Sequence, residues 1–365
     1  MIGSTLQPGS RELLQLFAPT RQVYLDTATY GLPPTATLHA LVEAAAGWWS
    51  GTAAYEEDWE PAGEACRELI APVLGGDPLR VALMPAVSVA AALVGATLDD
   101  RSVVLLPDGE FASLSLPLVA AARLAGAEVR TAPFADLTDA VDGTVTLVAT
   151  SHVRSNGGAT QDLASLAAAA VSVGAQVLVD ASHSAGILPL DADRLQIDYV
   201  VAAAYKHLLC PRGVAFLHVG EGTRVPPALT ASWRGLRPGA DFFTTELDDL
   251  TDGATGLDVS LAWHPWVGAR RSLELLGSIA AVDREAWCVG LATKAAEALG
   301  LEPTGSSVLG VPTSDAPQTV KAILSQRSIA AAVRAGEVRI SFHVYNTDEH
   351  VEAAVDALAP LVKPR

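Results

Sequence analysis

Apolar residues along the chain fall into short runs of strand length, separated by longer alanine-rich stretches whose apolar positions recur with helical spacing. Seven runs stand out: LRVALM from 79, VVLLP from 103, AEVRT from 127, VTLVAT from 145, AQVLVDA from 175, DYVVAAAY from 198 and GVAFLHV from 213. Their apolar character is mostly continuous rather than alternating, which implies strands buried on both faces. Together with the intervening helices it predicts an α/β fold on a seven-stranded, mainly parallel sheet. The helical stretches carry their own punctuation: SLPLVAAARLAGA closes around a glycine, and DLASLAAAAVSVGA opens on Asp162, a capping residue type.

From about residue 220 the pattern gives way to Pro, Gly and acidic loops, as in GLRPGADFFTTELDDLTDGATG. We read this as a border region, with an N-terminal arm over 1–20, a large domain over 21–255 and a smaller α+β domain over 256–365. The last is expected to hold a helix through WVGARRSLELLGSIAAV, a strand VRISFHV and a final helix DEHVEAAVDALAPLV.

Half of the 365 residues are hydrophobic and only 5% aromatic, so Ala, Val and Leu must supply most of the core. A net charge of −17 repels phosphate backbones and anionic lipid surfaces, which argues against nucleic-acid and membrane partners. Cys66, Cys210 and Cys288 are far apart without CxxC spacing, so neither a metal site nor a disulfide framework is expected. The N-terminus lacks a basic stretch followed by an apolar one, and no long uncharged apolar segment occurs, so a cytoplasmic location is expected.

The chemistry concentrates where two consecutive predicted strands end. QVLVD ends at Asp180, and the apolar run VVAAAY is followed at once by Lys206. Burying an unpaired ammonium there would cost several kcal/mol, on the order seen for other buried charges. Open parallel sheets bind ligands beyond the C-terminal ends of their strands, so neighbouring strands would aim this carboxylate and amine into one crevice. Pyridoxal phosphate uses such a pair: a lysine forms a Schiff base with its aldehyde, and an acid keeps the pyridine nitrogen protonated so that the ring draws electrons. Taken alone, the pair fits a structural ion pair nearly as well.

More residues bear on the choice. The segment VDASHSAGILPLDADRLQIDYVVAAAYKHLLCPRGVAFL, 179 to 216, resembles the core of the class V aminotransferase family. These are fold-type I pyridoxal-phosphate enzymes that include cysteine desulfurases, kynureninases and isopenicillin N epimerase-like proteins. The resemblance rests on Asp180, His183, Asp198, Lys206 and Pro211-Arg212-Gly213 in that spacing. VYLDTATYGLPP at 23, MPAVSVAAALV at 84, DGEFASLSLPL at 108, ATSHVRSNGGAT at 149 and VRISFHVYNTDEHVEAAVDAL at 338 resemble further family segments.

The resemblance implies Lys206 as Schiff-base partner and proton carrier, Asp180 at the pyridine nitrogen, His183 at the cofactor's phenolic oxygen and Phe111 stacked on its ring. Ser155 falls where a cofactor or substrate contact is expected, and Arg339 where an arginine grips the substrate's α-carboxylate, a task suited to a planar fork. The phosphate needs amide donors at a helix start, for which Val87 and Ser88, with the Ser88 hydroxyl, are the candidates. The sequence departs from the pattern at Ala203 and Tyr205, positions that often hold Ser and His; Tyr205 retains a hydroxyl to offer. Tyr30, His152, Trp233 and Arg234 are candidate selectors of the substrate side chain. A homodimer with shared sites is implied, with GLDVSLAWHPW at 256 reaching across and Ser260 as a cross-subunit phosphate contact.

Cysteine desulfurases need a loop cysteine shortly before the C-terminal arginine, and SQRSIAAAVRAGEVRIS, 325 to 341, has none. That leaves transamination, β-elimination such as carbon–sulfur lysis, or α-epimerisation of an amino acid or amino-acid-derived metabolite. We expect an aminotransferase or lyase of specialised biosynthesis, with an epimerase of the isopenicillin N type or a non-catalytic partner protein of the same fold as alternatives. A nicotinamide enzyme would carry GxGxxG after its first strand, and this chain does not.

Overall fold

A computed structural model of the chain describes residues 6–20, 22–334 and 336–363, so the first five residues of the expected arm lie outside the described residues. All seven apolar runs form strands of one sheet: β1 (Val81–Met84), β2 (Val103–Pro107), β3 (Glu128–Ala132), β4 (Leu147–Ser151), β5 (Gln176–Asp180), β6 (Tyr199–Ala203) and β7 (Ala215–Val219). Their order is β1-β7-β6-β5-β4-β2-β3. The strands from β6 to β3 run parallel, while β7 lies antiparallel to both β6 and β1.

The continuous apolar runs have the predicted cause. On one face Leu83, Leu105, Val148, Val179, Val200 and Phe216 enter one buried cluster, and on the other Met84, Leu106, Ala149, Leu178, Val201 and Leu217 enter a second. Edge strand β3 is the exception, and it carries the surface pair Arg130–Glu128 (2.7 Å), a charge that discourages pairing with another sheet.

Helices cover both faces: α1 (Thr35–Ser50), α2 (Pro61–Leu74), α3 (Val87–Gly95), α4 (Ala112–Ala125) and α5 (Leu163–Val173). The expected punctuation is present. Asp162 Oδ1 accepts from the amides of Ala164 and Ser165 at the start of α5, and Gly126 closes α4 at φ +77°.

The stretch expected as one helix from 266 to 282 is two, α6 (Trp263–Gly277) and α7 (Ala281–Ala298). Ile279 is buried between them, and Arg284 reaches back to its carbonyl (2.6 Å) and to that of Gly186 (2.7 Å). The guanidinium thus satisfies backbone groups that a helix end would leave bare. Helix α6 packs on α1 and α2, two helices that the apolar pattern did not bring out.

Beyond α7 lie β8 (Val308–Pro312), α8 (Pro317–Gln326), β9 (Ala332–Arg334), β10 (Glu337–Ser341) and α9 (Asp348–Leu358). The strands form an antiparallel sheet in the order β9-β10-β8 over its own buried cluster, which also takes in Leu25. Val23–Tyr24 pairs in parallel with Ile329–Ala330 as a separate two-stranded sheet, and the Ser341 amide donates to the Leu25 carbonyl (2.8 Å), tying the early chain to β10.

Candidate active site

Strands β5 and β6 are parallel neighbours, with Asp180 paired to Val201, so their C-terminal ends open on the same side. There Asp180, Lys206, Phe111, Val87, Ser88 and Tyr205 line one cavity of about 170 Å³. Six of the residues singled out in the sequence therefore converge, from β5, the turn after β6 and the starts of α3 and α4.

Lys206 is 6% exposed, and its Nζ stands 3.0 Å from His183 Nε2 and 5.3 Å from the centroid of the Phe111 ring. Burial pushes the ammonium down to about 8; the Asp180 charge opposes this, while Arg339, Arg334 and Arg212 add to it. His183 is held well below its ordinary value, first by burial and then by Lys206, so its ring is neutral. When Nζ is charged it donates to Nε2, which leaves the imidazole proton on Nδ1.

Around this pair the backbone is tied down. Asp180 Oδ1 accepts from the Ser182 amide (2.8 Å), and Ser182 Oγ accepts from the Ala203 amide (2.9 Å), linking the ends of β5 and β6. The Gly31 amide donates to the Tyr205 carbonyl (2.9 Å), and a Cβ on Gly31 would overlap the carbonyl oxygen of Lys206. Neither Ser182 nor Gly31 announced itself as a site residue, because a small polar residue and a glycine read as ordinary turn formers. Ser113 and Arg212 also line the cavity, and the Arg212 guanidinium lies 4.5 Å from the Tyr205 ring centroid.

Phe111 opens α4 and is 37% exposed. Glu110 fixes it: Oε1 accepts from the Phe111 amide (2.6 Å) and the Ser151 hydroxyl (2.6 Å), and Oε2 from the Ser151 amide (2.8 Å). Burial raises the Glu110 carboxyl while these hydrogen bonds hold it down. At the start of α3, Ala86 is extended (φ −164°, ψ 154°), so Ser88 is the second helical residue rather than the cap. The Val87 and Ser88 amides have no acceptor among the described residues, and they point their helix end at the cavity.

Other expected residues lie elsewhere. Arg339, on β10, is 1% exposed; Nη1 donates to the Ser155 carbonyl (2.9 Å) and hydroxyl (3.2 Å), and Nη2 to Thr29 Oγ1 (2.7 Å). Arg339 and Ser155 are thus brought together, with Asp26 Oδ1 3.6 Å from the guanidinium and Nε without a partner among the described residues. His152 is buried beside the end of β5, its amide donating to the Asp180 carbonyl (3.0 Å), and burial pushes its ring down to about 4. Tyr30 is 51% exposed and faces a separate groove with Tyr24, Asp26 and Lys321. Ser260 is exposed and does not line the cavity.

Arg234 is committed to an ion cluster with Glu60, Glu64 (2.5 Å) and Asp258 (3.4 Å), and Trp233 packs edge-on against Phe242. Asp198 sits just before β6, at the opposite end of that strand from Lys206, where it accepts from the Val177 amide (2.8 Å) and Thr223 Oγ1 (3.1 Å). Its work is to hold strand starts together. The three cysteines are buried with their thiols pushed up by burial, and Cys210 donates to the Leu208 carbonyl (3.2 Å).

A family model described as Aminotransferase class-V matches residues 23–233, which contain every residue lining the cavity. The chain belongs to the class V aminotransferase family. Among its relatives, isopenicillin N epimerase of Streptomyces clavuligerus is 30% identical over 332 residues, covering 81% of this chain and 83% of that protein. A kynureninase of Deinococcus radiodurans is 30% identical over 215 residues, 54% of this chain and 52% of the other. In fold this chain is similar to the cystine C–S lyase C-DES in complex with its reaction product cysteine persulfide, with a TM-score of 0.84 at 21% identity over 94% of this chain and 99% of that one. No helix among the described residues is long and apolar enough to cross a membrane.

The chain is therefore an enzyme of this family, and its cofactor is pyridoxal phosphate. The residues present fit that group. A buried amine pushed down toward neutral pH, a carboxylate in the same cavity, two unpaired amides at a helix start and an aromatic face beside the amine are the parts it requires.

Proposed function

We propose that this class V enzyme acts at the α-carbon of an amino acid or amino-acid-derived metabolite, as an aminotransferase or a β-eliminating lyase. The observation that carries the reading is Lys206 Nζ, buried, 3.0 Å from His183 Nε2 and pushed down to about 8. Such an amine exchanges protons near neutral pH, as a general base at the α-carbon must.

In this reading Lys206 is the attachment point of the cofactor, Asp180 the partner of its pyridine nitrogen, and Phe111 the face against its ring. Val87, Ser88 and the Tyr205 hydroxyl would hold its phosphate, and His183 its phenolic oxygen. When bound, pyridoxal phosphate supplies a protonated ring that takes up the electron pair left at the α-carbon. The protein's own part is proton traffic. Lys206 removes the α-proton and returns it at the position that sets the product, while neutral His183 accepts or donates at Nζ without adding a second charge. Asp180, fixed by the Ser182 amide, keeps its charge aimed into the cavity. Arg339, anchored by Ser155 and Thr29, is proposed to orient the substrate carboxylate through its unpaired Nε. Neither Tyr30, which faces a separate groove, nor buried His152 lines the cavity, so neither is assigned a part in this proposal.

Persulfide formation on a cysteine is not part of this proposal. None of the three thiols faces the cavity, and burial holds each in its protonated form. A second reading, α-epimerisation, is favoured by the 30% identity to isopenicillin N epimerase over most of the chain. We further propose a cytoplasmic homodimer in which Ser260, exposed on a single chain, meets the partner's phosphate site.

The test is to incubate the purified holoenzyme with a panel of amino acids and to follow keto acid, pyruvate with ammonia, thiol, and inversion of the α-carbon separately. With a keto-acid acceptor added, new keto acid matched by gain of an amino group on the acceptor supports transamination, and pyruvate with ammonia or thiol supports β-elimination. Inversion without net loss of amine supports the second reading, and no change in any amino acid rejects both.

A further inference from the structure

Beside the Lys206 cavity, and sharing Phe111 with it, lies a larger pocket of about 390 Å³ lined by Glu110, Arg154, Ser155, Asn156, Arg334 and Glu337, among others. Its charged groups are not equally free. Glu110 is saturated by Ser151 and Phe111, and Glu337 accepts from the Gly157 amide (3.2 Å). Arg154 donates to the Asp108 carbonyl (2.9 Å) and lies over the Phe134 ring at 5.0 Å. Among these charged side chains, the Arg334 guanidinium alone makes no hydrogen bond or ion pair with any described residue, and it is exposed on the pocket wall.

The hairpin of β9 and β10 aims this guanidinium. Ala332 pairs with Arg339 and Arg334 with Glu337, and residues paired across an antiparallel ladder point to the same face, as do residues two apart on one strand. Arg334 and Arg339 therefore project from one face of the hairpin. Arg334 lines the pocket that shares Phe111 with the Lys206 cavity, and its positive charge adds to the downward shifts at Lys206, His183 and Arg339. In a chain with 41 acidic residues against 24 basic, an arginine side chain on this pocket wall without an acidic partner among the described residues stands out.

We propose that this pocket is a subsite for a second anionic group, a carboxylate at the end of the substrate's side chain, with Arg334 as the residue that selects for it. The inference rests on the reading of Lys206 and Arg339 as the amino-acid site. The α-carboxylate would be oriented from Arg339, and the side chain would run past Phe111 into the larger pocket, where the planar fork of Arg334 can take a carboxylate in a bidentate fashion.

The holoenzyme should be titrated with aspartate, glutamate and the homologue one methylene longer, and with asparagine and glutamine as uncharged counterparts, following the cofactor's visible absorption. At least one acidic amino acid should bind about tenfold or more tightly than its amide, the scale of one charge-assisted contact. Arg334→Gln should bring that ratio close to one while leaving the affinity for the amides unchanged, and Arg334→Lys should keep part of the preference. Equal binding of acid and amide by the unaltered protein overturns the subsite and leaves the amino-acid site standing. So does an equal loss for both in Arg334→Gln, since that would assign Arg334 to the α-carboxylate. Absence of any spectral response to every amino acid, with the cofactor bound, would overturn the amino-acid reading itself and the subsite with it.

Discussion

Lys206 Nζ lies 3.0 Å from His183 Nε2, and both groups are buried at the mouth of two parallel strands. Burial is the largest influence on each, and it works in the same direction, toward two neutral nitrogens. A lysine in that state is a nucleophile at pH values where an ordinary lysine is not.

One consequence is a pH profile. Uptake of pyridoxal phosphate by the apoenzyme requires the free amine, so its rate should rise with pH through a midpoint near 8 and then level off. The Asp180 charge opposes the downward shift. Asp180→Asn should therefore move the midpoint further down, and lower turnover by on the order of 100-fold, as loss of a preorganised charge does. Stopped-flow absorption of uptake across pH 6 to 10 would check the midpoint; a midpoint near 10.5 would mean that the amine is not desolvated.

The same shift is a cost to the apoenzyme. A lysine whose folded value is about 8 against 10.5 when unfolded destabilises the fold by about 3 kcal/mol below pH 8. The unfolded chain binds the extra proton between those values, so the penalty fades as pH rises from 8 to 10.5. Apo Lys206→Met should accordingly be more stable than the unaltered apoprotein at pH 7, with the two converging toward pH 10.5 in denaturant titrations. A Met variant that is less stable at pH 7 would contradict it.

The helix start at α3 can be tested through the backbone alone. Val87 is the first helical residue, where proline is tolerated, and Ala86 before it is already extended as a residue preceding proline must be. Val87→Pro should fold normally yet bind pyridoxal phosphate more weakly, by about tenfold or more for one amide to a charged group. Equilibrium dialysis with the thermal unfolding of the apoprotein as control separates the two effects.

How much of this could be read in the sequence follows the physics of each element. The seven strands were legible because a strand buried on both faces has to be apolar throughout, and Asp180 and Lys206 were legible because each breaks such a run. The sheet order and the reversed direction of β7 were not, since both depend on which strand edges meet. Helix α1 is illegible for a related reason: it leaves Leu38, Val42, Trp48 and Trp49 exposed, so its apolar residues do not trace one buried face. Arg339 was found by its motif, but its burial against Thr29 and Asp26 joins residues some 310 positions apart, beyond any local pattern. Arg334 carries no local signal, because an arginine near a strand end reads as surface until its neighbours are known.

The central claim is that Lys206 carries the cofactor and the proton. Reducing the purified yellow protein with borohydride and mapping its peptides should find the cofactor's mass on the peptide containing Lys206, and Lys206→Ala should lose both the fixed label and turnover. A label on another lysine, or a Lys206→Ala protein that keeps its colour and its activity, would contradict the account.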